Sequence, residues 1–149
     1  MKTVDIYTDG ACSGNPGLGG YCAILRCEGR EKIVSGHELN TTNNRMELLS
    51  VIMGLKALKL PCKVNLYSDS QYVVDAFNQG WLESWKTNGW RTANKKEVKN
   101  IDLWEDLIDL TQKYDVKFIK IKGHSDNEFN NRCDKIAVEE YKKIQKENN

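Results

Sequence analysis

The sequence predicts an α/β fold: a five-stranded mixed sheet, strands 1–3 antiparallel, strands 4 and 5 parallel to strand 1, with helices on its faces. Three observations predict it. The periodicity runs strand, strand, strand, helix, strand, helices, strand, helix along the chain. Right-handed crossovers then lay the fourth strand parallel to the first. An internal echo supports that pairing: Ile6-Tyr7-Thr8-Asp9 and Leu66-Tyr67-Ser68-Asp69 both read apolar, tyrosine, hydroxyl, aspartate. With 149 residues and no repeat, linker or low-complexity segment, residues 1–149 read as one domain.

Thr3 to Ala11 is the first strand, closed by the turn formers Ser13-Gly14-Asn15-Pro16-Gly17. Gly20 to Cys27 and Lys32 to Leu39 are the second and third strands, with Glu28-Gly29-Arg30 short enough for a hairpin. Asn43 to Leu60 is a helix, with Thr41 and Thr42 as candidate caps and Pro61 as its stop. Lys63 to Asp69 is the fourth strand. Helical signal resumes over Ser70–Asn78 and Trp81–Thr87, and Asn88–Asn100 is polar and irregular. Ile101 to Lys113 is a helix with Leu103, Leu107 and Leu110 on one face. Val116 to Lys122 is the fifth strand and Asn130 to Gln145 the last helix, with a frayed tail from Lys146.

Composition excludes several classes. Hydrophobic residues at 40% and charged residues at 29% describe a globular chain rather than a disordered one. No segment approaches the roughly 18–20 apolar residues of a membrane span, so no membrane partner is expected. The start, Met1-Lys2-Thr3-Val4-Asp5, lacks the apolar core of a signal peptide. Cys12, Cys22, Cys27, Cys62 and Cys133 are odd in number and contain no Cys-x-x-Cys pair. Reduced thiols in the cytoplasm are the simplest reading.

The net charge of +1 does not suggest a polyanionic partner, but its distribution does. Lys86, Arg91, Lys95, Lys96 and Lys99 face one acid, Glu97, with Trp81, Trp85 and Trp90 in or beside the stretch. A local basic patch attracts phosphates whatever the global charge. For Trp81, Trp85, Trp90 and Trp104 the competing role is packing, and each is expected to be at least partly core.

Asp9 and Asp69 need explaining, because aspartate is depleted in strands. Taken singly, each is explained equally well as a cap for the next turn or helix. Together, at the carboxyl ends of adjacent strands, they favour a shared metal. Glu47 is either a surface residue in a helix's first turn, suited to the N-terminal dipole, or a third carboxylate aimed at the sheet's edge. Hard divalent cations take such oxygen ligands. Gly123-His124 comes after the fifth strand at the same edge, and Asp134 opens the last helix. Each of these is a weak signal alone.

Their combination resembles a known family, type 1 ribonuclease H of the bacterial kind. The matching segments are Tyr7-Thr8-Asp9-Gly10, Gly14-Asn15-Pro16-Gly17, Thr42-Asn43-Asn44-Arg45-Met46-Glu47-Leu48, Ser68-Asp69-Ser70-Gln71-Tyr72-Val73, Gly123-His124 and Asn130-Asn131-Arg132-Cys133-Asp134. They keep the family's order and spacing over nearly the whole chain. The resemblance implies that Asp9, Glu47, Asp69 and Asp134 bind two magnesium ions in the substrate complex, with manganese as a substitute. It makes His124 a mobile proton carrier, and Asn15, Asn43, Asn44 and Gln71 contacts in the minor groove of an RNA–DNA hybrid. It makes Thr42 and Asn15 part of a pocket for a DNA-strand phosphate. Trp85, Lys86, Trp90, Lys95, Lys96 and Lys99 resemble the family's basic handle, although Thr87 and Asn88 stand where adjacent basic residues are common. The implied enzyme is a stand-alone monomer that cuts the RNA strand and leaves 5′-phosphate and 3′-hydroxyl ends. An integrase-like or junction-cutting nuclease, and a catalytically silent hybrid-binding module, are the rival readings. The asparagine run and handle argue against the first, and the filled catalytic positions against the second.

Overall fold

The computed structural model describes residues 1–122 and 127–147. Strands β1 (Thr3–Cys12), β2 (Gly17–Cys27) and β3 (Arg30–Thr41) lead into helix α1 (Asn43–Lys56) and strand β4 (Lys63–Ser68). Helices α2 (Gln71–Asn78), α3 (Trp81–Thr87) and α4 (Ile101–Lys113) precede strand β5 (Asp115–Lys120) and helix α5 (Glu128–Glu147). The sheet runs β3-β2-β1-β4-β5, with β1–β2 and β2–β3 antiparallel and β1–β4 and β4–β5 parallel, as the sequence predicts. The echo is a structural pairing. Tyr7 sits opposite Tyr67 in register, their rings stack at 4.7 Å and 9°, and the Thr8 hydroxyl donates to the Tyr67 carbonyl at 3.1 Å.

Several boundaries differ from expectation, each for a local reason. The β2–β3 hairpin turns on Glu28 and Gly29 alone, both at positive φ (51° and 78°), so Arg30 already belongs to the strand. Helix α1 stops at Lys56 rather than Leu60. A proline ring clashes with the carbonyl four residues before it and pushes its predecessor out of the α region. Pro61 therefore bars Leu60 from the helix, and the Leu58 carbonyl accepts the Tyr114 hydroxyl at 3.2 Å instead. Strand β4 ends at Ser68, which leaves Asp69 just beyond it. Strand β5 runs from Asp115 to Lys120, and α5 starts two residues early. Lys146 and Glu147, expected to fray, complete α5.

The two faces of the sheet are covered unequally. On one, Ile6, Ala23, Leu48, Ile52, Leu66 and Leu107 pack with the fully buried Trp104 under α1 and α4. On the other, α5 seals Cys22, Ile24, Cys133 and Ala137. Trp85 and Trp90 pack against the larger core, while Trp81 is exposed, contrary to expectation.

Candidate active site

Three elements deliver carboxylates to the carboxyl ends of β1 and β4. Asp9 lies on the same side of β1 as Tyr7. Asp69 comes directly after the last residue of β4 and does not cap α2: Ser70 does, its hydroxyl accepting from the Val73 amide at 3.3 Å. Glu47 is the fifth residue of α1, past the first turn, and neither it nor Asp9 is more than 4% exposed. The surface alternative for Glu47 therefore fails. Gly10 makes the approach possible, because a Cβ there would meet the backbone of Met46 and Glu47 at 2.5 Å. Its amide serves both acids, donating to Asp9 Oδ1 at 3.0 Å and Glu47 Oε1 at 2.9 Å.

Oxygens of Asp9, Glu47 and Asp69 all lie within 4.8 Å of one another. Burial first, then the charges of Asp69 and Asp134, push the Asp9 carboxyl up to about 8, with Glu47's hydrogen bonding partly offsetting them. Glu47 is raised well above the ordinary carboxylate range, by burial and then by Asp9 and Asp69. Like charges this close repel by a few kcal/mol at an effective dielectric near 20. Among the described residues, Glu47 Oε2 is buried without a hydrogen-bond partner, although buried polar atoms ordinarily have one. An all-oxygen donor set, an orphaned oxygen and unrelieved repulsion fit a hard divalent cation, not zinc.

Asp134, the seventh residue of α5, joins these three acids in lining a cavity of about 380 Å³, together with Asn43, Asn44, Gln71, Tyr72, Asn130 and Asn131. A second groove, about 740 Å³, adjoins it and is lined by Asn15, Thr42, Asn43, Asn44, Tyr72, Trp85, Lys96 and Lys99, among others. Thr42 caps α1 by accepting from the Arg45 amide at 3.3 Å. Asn15 Oδ1 accepts from the Asn43 amide at 3.0 Å, which ties the turn after β1 to the helix start.

Not every expected residue is brought together. Lys86 lies apart, lining a separate pocket of about 220 Å³ and standing 3.8 Å from Glu83. Lys95 and Trp90 line neither cavity; Trp90 backs Trp85 at 6.3 Å between ring centroids, and Trp85 in turn meets Trp104 edge-on at 5.4 Å. Gly123 and His124 both fall outside the described residues. Two residues gain roles that the sequence did not signal. Gly10 is the shared amide donor. Tyr72 walls both cavities, accepts from the Trp104 indole at 3.0 Å and donates to the Lys99 carbonyl at 3.5 Å. A glycine directly after a strand-end aspartate, and a tyrosine directly after Gln71, are the only sequence hints of these roles.

Comparison with known proteins agrees with this geometry. The RNase H family model matches residues 1–142. A ribonuclease H of Acetivibrio thermocellus is 61% identical over 146 residues, 98% of this chain and 99% of that protein. One from Caldanaerobacter subterraneus subsp. tengcongensis is 59% identical over 147 residues, 99% and 96% of the two chains. Among solved structures, LC9-RNase H1, described as a type 1 RNase H with the type 2 active-site motif, superposes with a TM-score of 0.85 at 24% identity, covering 95% of this chain and 73% of that one. LC11-RNase H1, solved in complex with an RNA/DNA hybrid, superposes with a TM-score of 0.72 at 22% identity over 95% and 99% of the chains. With the family model matching residues 1–142, and a relative 61% identical over 98% of this chain, the chain belongs to the ribonuclease H family of enzymes.

Proposed function

We propose that this chain hydrolyses the RNA strand of RNA–DNA hybrids, giving 5′-phosphate and 3′-hydroxyl ends. The observation that carries the reading is the convergence of Asp9, Glu47 and Asp69 within 4.8 Å, in a cavity that also presents Asn43, Asn44 and Gln71. Asp9, Glu47, Asp69 and Asp134 would hold two magnesium ions, with manganese as a substitute. Such ions, when bound, neutralise charge on the phosphodiester and lower the pKa of water.

The chain's own residues supply the rest. The Gly10 amide and the depth of the site keep Asp9 and Glu47 fixed before any ligand arrives. The amides of Asn43, Asn44 and Gln71 both donate and accept, which is what reading a 2′-hydroxyl requires. Contacts of this kind address sugar and phosphate, so little sequence preference is expected. Thr42 and Asn15 would take a DNA-strand phosphate at the start of α1, where backbone amides favour anions. Lys96 and Lys99, with Trp85 behind them, would grip the backbone along the second groove. Lys86, Lys95 and Trp90 would support it from outside. His124 would carry a proton to or from the reacting phosphate and ease product release. We place the enzyme in the cytoplasm as a monomer. Five free thiols suit a reducing compartment.

A 5′-labelled hybrid incubated with magnesium tests the reading, with duplex DNA and duplex RNA as controls and a parallel series in excess chelator. Cleavage confined to RNA paired with DNA, and lost in chelator, is expected. Comparable cutting of duplex DNA, or full activity in chelator, would contradict it.

A further inference from the structure

The first turns of α5 are tied down on three sides by residues that do not line the carboxylate cavity. Arg132 grips Glu31 of β3 with both guanidinium ends, Nη1 donating to Oε1 at 2.9 Å and Nη2 to Oε2 at 2.7 Å. Arg26 of β2 donates to the same Glu31 Oε1 at 2.7 Å and lies 4.2 Å over the Phe129 ring of α5. The next residue, Cys133, is fully buried with its Sγ 3.6 Å from that of Cys22. One turn on, a Cβ at Gly20 would collide with the Ala137 carbonyl oxygen, so helix and strand are in closest approach there. Three successive residues thus answer to three places: Arg132 to β3, Cys133 to β1 and β2, its Sγ donating to the Tyr7 carbonyl at 3.1 Å, and Asp134 to the cavity.

Residues two apart on a helix point about 200° apart, given 3.6 residues per turn. Arg132 and Asp134 are therefore on nearly opposite flanks, and a pull on one sets the roll of the other. The contacts at Cys133 and Gly20 fix the distance of α5 from the sheet, and its roll is held by flanking side-chain bonds: Arg132 to Glu31 in the first turns and Glu140, which accepts from the Ser35 hydroxyl of β3 at 2.9 Å, two turns on. A planar bidentate guanidinium–carboxylate pair is the interaction suited to set it. The Glu31 and Arg132 side chains are 26% and 38% exposed. At such exposure an ion pair adds little to global stability, so the value of this one lies in geometry.

We propose that Glu31 is a positioning residue: through Arg132 it fixes the roll of α5, and so holds the Asp134 carboxylate where it strengthens divalent-ion binding beside Asp9. The inference rests on the metal-dependent reading of the carboxylate site.

The test is a double-mutant cycle of Glu31→Gln and Asp134→Asn, which reports coupling directly. Three quantities are measured: magnesium binding to the metal-free protein by calorimetry, the magnesium midpoint of hybrid cleavage, and KM for hybrid at saturating magnesium. Partners that bond a metal ligand directly typically change affinity 10–100-fold. Acting one residue further out, Glu31→Gln should weaken binding and raise the midpoint by about threefold to tenfold, leave KM unchanged, and add nothing in the Asp134→Asn background. Glu31→Asp, which keeps a carboxylate able to take both guanidinium ends, should recover part of the loss. If the glutamine variant does not fold, Arg132→Lys, which keeps the charge but cannot form the bidentate pair, takes its place in the cycle, with the same threefold to tenfold shift expected and again absent when Asp134 is replaced. A midpoint within twofold of wild type, or an equal shift in both backgrounds, would overturn the proposal. If wild type itself binds no magnesium and cuts in chelator, the metal reading fails and this inference with it. If wild type shows a clear midpoint that Glu31→Gln matches, only the role of Glu31 fails.

Discussion

The carboxylate cavity and the groove beside the basic segment adjoin, yet they are built on opposite plans. Asp9 and Glu47 are buried, hydrogen-bonded to one backbone amide and surrounded by charge of their own sign. Lys95, Lys96 and Lys99 are exposed, on a stretch without helix whose backbone takes left-handed turns at Trp90, Lys95 and Asn100. Beneath them the order reverses: aromatic packing from Trp90 through Trp85 to the buried Trp104 anchors a polar loop to the core. The acids carry an electrostatic cost in the folded state that a cation can relieve. The lysines carry almost none, because water already solvates them. Chemistry needs the first arrangement, since preorganised charge does not have to reorganise as the reaction proceeds. A grip on many phosphates needs only the second.

The sharpest way to break this contrast is to remove one buried charge. Asp9→Asn should abolish cleavage, by at least the ~10²–10³-fold that loss of one preorganised electrostatic partner typically costs, while hybrid binding at the basic groove persists in a filter or anisotropy assay. His124→Ala should come next, with turnover about 10²–10⁴-fold slower but residual metal-dependent cutting in a burst-resolved time course. Wild-type turnover in that variant would remove His124 from the chemistry.

Neutralising lysines should give smaller, graded effects. Lys96→Gln and Lys99→Gln should weaken hybrid binding and reduce the log–log salt slope by roughly 0.7–0.9 per lost phosphate contact. Lys95→Gln and Lys86→Gln, whose side chains lie outside the groove, should change the slope less. Equal slopes for all four variants, measured across a salt series at fixed magnesium, would show that the groove does not select among them.

A separate effect, on stability rather than on cleavage or binding, is pH dependence. The folded-state pKa of Asp9 is raised, to about 8, against about 3.9 for an unfolded aspartate. The folded state then binds more protons than the unfolded state between those values, so this group's contribution to stability falls as pH rises from about 4 to about 8 and is level above. In chelator at low salt, the denaturation midpoint of Asp9→Asn relative to wild type should rise as pH is taken upward through that window. A pH-independent difference would mean that Asp9 is not electrostatically strained.

Strand order, helix order and the meeting of Asp9 with Asp69 were legible because they rest on periodicity, crossover handedness and a repeated tetrad. The depth of Glu47 was not. A glutamate among Met46, Leu48 and Leu49 reads as the polar face of a helix, and only Gly10, 37 positions earlier, lets that face meet the sheet. The early end of α1 was hidden because the apolar spacing continues to Leu60, which the structure leaves 75% exposed. Trp81 was misplaced since tryptophan content says nothing about which ring the α2–α3 turn leaves outside. Lys86 was grouped with the groove by its neighbours in sequence, but the helical direction of α3 turns it toward Glu83.

The most direct measurement is the thermal unfolding of wild type and Asp9→Asn, side by side at neutral pH and low salt, with and without magnesium. Without metal, the variant should melt at the same temperature as wild type or higher, because on folding the buried Asp9 carboxyl must either take up a proton or face like charge, and asparagine escapes both at nearly constant shape. With magnesium, wild type should gain more than the variant, because a ligand that binds only the folded state stabilises it by mass action. A metal-free variant that melts several degrees below wild type, as loss of a cap or salt-bridge partner worth about 1 kcal/mol or more would cause, would make Asp9 a structural residue and contradict the strained carboxylate site.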